Sequence, residues 1–260
     1  MDSGLGGLPY GYFFHSRNKN EKLICVGDRA NFPYGLKSKE ALIGIMDALT
    51  ERLVPLYDPK MLALVCNTAS VTTLDFLREK YPDIPVVGTV PAIKPAVTAS
   101  KTRRVGVIGT LRTVEDPLIQ ELAGRYGPDC EIIGIAASDL VEFAQCRYGE
   151  STQAERLGAV VPYVEKFRSS GVDSIVLGCT HFLLLRDDFL KAAGKDMGIY
   201  DSVEGVSRRV ESIMDNDGGE LRARPGDEQT PTILVTGEAP LESYWGQLAS
   251  SFGFILEKDP

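Results

Sequence analysis

Eight short apolar runs alternate with segments of helical period, and a chain patterned in this way has few means of burying its hydrophobic surface. "KLICVGD", "MLALVCN", "PVVGTV", "RRVGVIGT", "EIIGIAAS", "SIVLGC", "GIYDS" and "TILVTG" read as strands. Between them "SKEALIGIMDALTERLVPLY", "TTLDFLREKY", "VEDPLIQELAGRY", "TQAERLGAVVPYVEKFRSSG" and "VEGVSRRVESIMD" read as amphipathic helices, several ending at Gly or Pro. Strands joined through helices run parallel, and the helices then cover both sheet faces. The pattern therefore predicts an α/β fold with parallel sheets.

The chain has 260 residues, enough for one large domain or two of roughly 100 to 150 residues. The polar, Gly- and Pro-rich stretch "DNDGGELRARPGDEQTP" (215–231) reads as a surface loop or linker, and "PAIKPAVTASKTRR" (91–104) as a softer boundary. With a net charge of −8, the surface should repel nucleic acid and anionic membranes, so a small-molecule partner is favoured. No segment approaches the roughly 18 to 20 apolar residues of a membrane span. The start, "MDSGLGGLPYGYFF", lacks the basic and apolar regions of a secretory signal, which leads us to expect a cytoplasmic protein. Five dispersed cysteines and only two histidines match neither a disulfide framework nor a metal site, so no metal is expected.

Two of the strand runs end alike, "LALVCNTASV" at Cys66 and "SIVLGCTHFL" at Cys179, 113 positions apart. That separation is about one domain length and suggests two similar lobes, each contributing one thiol. In open α/β sheets ligands sit beyond the carboxyl ends of strands, where both cysteines fall. A thiol near the start of the following helix has a lowered pKa and an accessible thiolate, although a single strand-end cysteine is more often a small core residue. His181, two residues after Cys179, is close enough to exchange protons with it. Asn67, Thr68 and Thr180 offer neutral donors for a carboxylate; taken singly, each reads as an ordinary helix cap. Asp2 opens a glycine-rich turn whose N–H groups can face an anion. Two thiols on separate lobes suit removal of a proton from one face of a carbon and its return to the other. Disulfide exchange would need them adjacent.

The stretches "DSGLGGL" (2–8), "GDRANFPYG" (27–35), "CNTAS" (66–70), "VGVIGTLRT" (105–113), "LGCTHF" (177–182) and "YDS" (200–202) span nearly the whole chain. In this order they resemble the glutamate racemases of the cofactor-independent aspartate/glutamate racemase superfamily. The resemblance implies two flavodoxin-like lobes, 1–94 with 203–260 and an inserted 95–202, and an active site in the cleft between them. It implies interconversion of L- and D-glutamate without pyridoxal phosphate, supply of D-glutamate for peptidoglycan, and commonly a homodimer. Cys66 and Cys179 match the two acid/base thiols, assigned to D- and L-glutamate respectively. Asp2 and His181 match assisting groups, and Glu142, in "DLVEFA", a further catalytic-site acid. Asp2, Ser3, Pro33, Tyr34, Gly35, Asn67, Thr68, Thr110, Thr113 and Thr180 match substrate-contacting positions.

"CTHF" favours glutamate over aspartate, because aspartate racemases look like "CNTAH" and "GCTE" at the corresponding places. The alternatives are racemisation of another acidic amino acid, a one-thiol decarboxylase of the same superfamily, or a non-enzymatic gyrase-binding role. Three departures stand out. Leu183 replaces a usual proline, Arg112 replaces a usual glycine, and Met1 stands where the family carries a strand before "DSG". Without that strand, Asp2 is expected to hang on a frayed terminus beside a gap in the sheet.

Overall fold

A computed structural model describes residues 1–216, 221–223, 226, 228–238 and 240–258. From the start of the chain run α1 (Leu8–Arg17), β1 (Ile24–Gly27), α2 (Lys39–Tyr57), β2 (Leu62–Leu64), α3 (Asn67–Lys80) and β3 (Val86–Gly88). Next come α4 (Ile93–Ala99), β4 (Arg104–Gly109), α5 (Leu111–Val114), α6 (Pro117–Tyr126), β5 (Glu131–Ala136) and α7 (Ser138–Cys146). The order continues with α8 (Gln153–Ser169), β6 (Ser174–Leu177), α9 (Arg186–Ala193) and β7 (Gly198–Tyr200). It closes with α10 (Val203–Asn216), β8 (Thr232–Val235), α11 (Ser243–Ser251) and β9 (Ile255–Lys258). Every strand pair among the described residues is parallel, as the alternation predicts.

The chain divides into two compact units, Met1–Thr89 with Val203–Pro260, and Val90–Ser202. The second unit carries a four-stranded sheet in the order β5-β4-β6-β7. Its central strand β6 is buried at every residue and β4 at all but its first, as expected of strands covered on both faces, whereas edge strand β5 is only partly covered. Helix α4, in the stretch read as a boundary, buries Ile93, Ala96 and Val97 in this unit's core with Val105, Val107 and Val176. Helix starts follow capping chemistry: Asp116 and then Pro117 open α6, and Thr152 forms a capping box with Glu155 at α8.

The first unit holds two short sheets, β1-β8-β9 and β2-β3. Met1 and Asp2 lie between them, with Asp2 in an isolated parallel bridge to Gly27. The Asp2 amide donates to Val26 at 2.9 Å, and its carbonyl accepts from Asp28 at 2.8 Å. On the other side the Met1 amino group donates to Ala63 at 2.7 Å, and its carbonyl accepts from Val65 at 3.0 Å. Asp2 is therefore not frayed, contrary to the expectation above: two backbone bonds hold it, two more hold Met1 beside it, and it is 2% exposed. Beside Met1 lies an apolar cavity of about 350 Å3 lined by Ile24, Cys25, Leu53, Met61, Leu62 and Val206, among others.

Much of the stretch read as a linker at 215–231 lies outside the described residues; Asp215 and Asn216 close α10. Among the described residues no helix is long and apolar enough to cross a membrane.

Candidate active site

In the first unit, the residues expected at the site follow the carboxyl ends of the strands. Cys66 leaves β2 in an extended conformation and is the N-cap of α3, a 14-residue helix whose positive end favours the thiolate. It is buried in a cluster with Tyr34, Leu64 and Ala69. Asn67 and Thr68 form the first turn of α3 and are buried with it. Among the described residues, neither the amide nitrogen nor the oxygen of the Asn67 side chain has a hydrogen-bond partner. A buried amide left so costs about 1–3 kcal/mol, and such a group points to a ligand.

The loop after β1 is organised by Asp28, which is buried. Its carboxylate accepts from the Tyr34 hydroxyl at 2.7 Å, the Thr236 hydroxyl at 2.6 Å and the Asn31 amide at 2.9 Å. Burial, then the adjoining Asp28 charge, pushes the Tyr34 phenol far above its ordinary range, so it remains a protonated donor. That bond holds the turn carrying Pro33, Tyr34 and Gly35, which starts a short 3-10 helix at Tyr34–Leu36. Asp2 Oδ1 accepts from the Gly4 amide at 2.9 Å and Ser3 is buried beside it, so the glycine-rich turn wraps the aspartate. A side chain at Gly27 would place its Cβ 2.9 Å from the Gly4 carbonyl oxygen, which explains the glycine opposite Asp2.

In the second unit, β4 and β6 pair with Ile108 opposite Leu177, so Thr110 and Cys179 emerge at the same sheet edge. Gly178 donates to the Ile108 carbonyl at 2.7 Å, and a Cβ there would lie 3.0 Å from the same oxygen. Cys179 is extended and caps a 3-10 helix, Thr180–Leu183, in which Thr180 and His181 are buried. His181 Nδ1 lies 3.9 Å from Cys179 Sγ, and its Nε2 lies 2.8 Å from Gln145 Oε1. Thr110 caps α5, and its hydroxyl and that of Thr113 are 3.0 Å apart. None of the five cysteines is in a disulfide.

One expected residue is placed differently. Glu142 is exposed on α7, whose buried face is Leu140, Val141, Ala144 and Gln145. The side chain of α7 that reaches His181 is Gln145, which the sequence reading missed. A polar residue four positions after Val141, on the apolar face of the helix, was the available signal.

Each unit thus ends a parallel strand in a buried cysteine followed by buried hydroxyl or amide side chains, an arrangement suited to proton transfer at a small polar substrate. Residues 15–206 match the family model described as Asp/Glu/hydantoin racemase. The chain is 36% identical to a glutamate racemase of Sphingopyxis alaskensis over 244 residues, covering 90% of this chain and 91% of the relative. It is 37% identical to that of Treponema pallidum over 258 residues, covering 97% and 92%. The Escherichia coli glutamate racemase structure, in complex with L-glutamate and the activator UDP-MurNAc-Ala, superposes with a TM-score of 0.85 at 29% identity. That match covers 99% of this chain and 95% of the other. The protein belongs to the Asp/Glu/hydantoin racemase family, as the motifs led us to expect.

Proposed function

We propose that this protein interconverts L- and D-glutamate by a two-thiol proton transfer and so supplies D-glutamate for peptidoglycan. The carrying observation is the pair of strand-end cysteines, Cys66 and Cys179, each buried at the cap of the helix or 3-10 turn that follows it. One cysteine as thiolate takes the α-proton: an S–H bond forms as the C–H bond breaks. The other cysteine, as thiol, returns a proton to the opposite face, and the configuration inverts without change of oxidation state. Cys179 serves L-glutamate and Cys66 serves D-glutamate.

The α-proton of an amino acid is a very weak acid, so the developing charge on the carboxylate has to be met by placed donors. The unpartnered Asn67 amide supports that role, with Thr68 and Thr180 beside the two thiols and Ser3, Thr110 and Thr113 as further contacts. The loop bearing Pro33, Tyr34 and Gly35 completes the substrate contacts. His181 relays protons for Cys179, and Asp2 assists Cys66. The same family resemblance supports a cytoplasmic enzyme that acts as a homodimer.

The test is circular dichroism of L- and of D-glutamate incubated with protein to which no cofactor has been added. Convergence of both to the racemate supports the reading. No change with glutamate, or faster change with aspartate, overturns it.

A further inference from the structure

His181 is buried, 1% exposed, between two partners of different kinds, a thiol on one ring nitrogen and a neutral amide on the other. Gln145 is itself 3% exposed and comes from α7, 36 positions earlier in the chain. A neutral imidazole has one N–H and one lone pair, and the partner of one nitrogen decides which form the other presents. With Gln145 Oε1 accepting from Nε2–H, Nδ1 is left as an acceptor aimed at the Cys179 sulfur.

We infer that Gln145 is a positioning residue: it holds His181 as the neutral Nε2–H tautomer, so that Nδ1 receives the thiol proton of Cys179 and hands it back. The inference rests on the proposed function. An amide accepts a hydrogen bond without supplying negative charge, so it orients the ring while stabilising imidazolium far less than a carboxylate would. A racemase needs Cys179 as thiolate when L-glutamate is bound and as thiol when D-glutamate is bound. A permanent thiolate–imidazolium pair would favour only the first state. A neutral, low-dielectric setting keeps the two states near balance.

Three carboxylates on the neighbouring elements are engaged elsewhere or exposed. Asp139 of α7 accepts from Tyr163 of α8, Asp188 of α9 lies 3.4 Å from Arg156 of α8, and Glu142 faces solvent. The position facing Nε2 is therefore where a charge would be felt most directly.

Gln145→Glu and Gln145→Leu separate this role from packing. The chain has only two histidines, His15 and His181, so 15N spectra of histidine-labelled protein resolve the tautomer directly, without any activity measurement. At neutral pH the unaltered protein should show His181 as the neutral Nε2–H form, and Gln145→Glu should show imidazolium. A doubly protonated or Nδ1–H ring in the unaltered protein overturns the inference, whether or not the protein racemises glutamate.

In kinetics, Gln145→Leu should lower kcat at least about tenfold with KM within about twofold, since general acid–base partners contribute at least that much. Gln145→Glu should restore part of kcat, because it still accepts from Nε2–H, and should move the acid limb of the L-glutamate kcat/KM profile to higher pH, because a carboxylate beside Nε2 favours the imidazolium that cannot take the thiol proton. Equal kcat and an unmoved limb in a folded Gln145→Leu protein would reduce Gln145 to a packing residue. If neither protein turned over any glutamate, the proposed function would fail and the spectra would still decide the tautomer.

Discussion

The amino group of Met1 donates to the carbonyl of Ala63 at 2.7 Å, placing the start of the chain inside the first unit's sheet rather than at its surface. Burial lowers the pKa of that ammonium, and the charges of Cys25, Asp2 and Cys66 only partly offset the effect. A lowered folded-state pKa means that the unfolded chain binds more protons in the window between the folded value and the ordinary value of about 8. Stability from this group therefore rises with pH through that window and levels off above about 8. Acetylation of the amino group removes the titration. Denaturant unfolding at several pH values should show a steeper rise for the free-amine chain than for the acetylated one; parallel curves would mean that the ammonium is well solvated.

Filling the apolar cavity beside Met1 should stabilise the protein. In a parallel pair alternate residues turn their backbone groups to opposite sides, and Val26 and Ala63 already turn theirs toward Asp2 and Met1. An engineered arm of about five apolar, β-branched residues placed before Met1 would extend that segment into the cavity of about 350 Å3. We expect a rise in Tm of at least about 2 °C over a Gly-Ser arm of the same length, and faster turnover because Asp2 is held more firmly. No difference between the arms would show that the cavity does not accept a strand.

Asp28 is expected to matter well beyond its own volume. Asp28→Ala strands three donors, those of Tyr34, Thr236 and Asn31, and should cost about 2–4 kcal/mol in unfolding free energy. Tyr34→Phe deletes one of these bonds and should cost about 1 kcal/mol. Both should raise KM for glutamate more than they lower kcat, because the loop from Pro33 to Gly35 loses its anchor. A larger effect on kcat would assign Asp28 to the chemistry itself.

For the thiols, Cys66→Ser and Cys179→Ser should each lower racemisation by orders of magnitude, since a hydroxyl is a far weaker acid than a thiol with a pKa of about 8.5. A glutamate analogue with a leaving group on the β-carbon needs only one base for elimination. Each variant should retain elimination with one enantiomer, Cys66→Ser with the L form and Cys179→Ser with the D form. Loss of both enantiomers in both variants would reject the division of labour.

Dialysis against EDTA, with an aldehyde trap present, should leave turnover intact, because the chemistry assigned to the thiols needs neither a metal nor pyridoxal phosphate. Abolished turnover would remove the thiols from their central role.

Local pattern alone determined where the strands other than β9 lie and which cysteines end them, because apolar runs bounded by turn residues and cap-forming side chains act over a few neighbouring positions. The strand ends at Cys66 and Cys179, and helices such as α2 and α8, were readable on that basis. Helix α4 was not, since its prolines and small residues resemble a linker until Ile93 and Val97 find Val105 and Val176 to pack against. Helix α1 was missed as well; its aromatic and glycine-rich sequence carries little intrinsic helical preference. Asp2 looked unsupported because its support comes from Val26, Asp28 and the strand leading to Val65, edges meeting at the terminus only once β1 and β2 have formed. The choice of Gln145 over Glu142 was likewise decided by tertiary structure. Both residues sit on one helix, and the rotation of α7 against the 3-10 helix bearing His181 places one beside the imidazole and leaves the other in solvent. Chemistry that depends on atoms about 3 Å apart is set by contacts between distant segments, which a one-dimensional pattern does not contain.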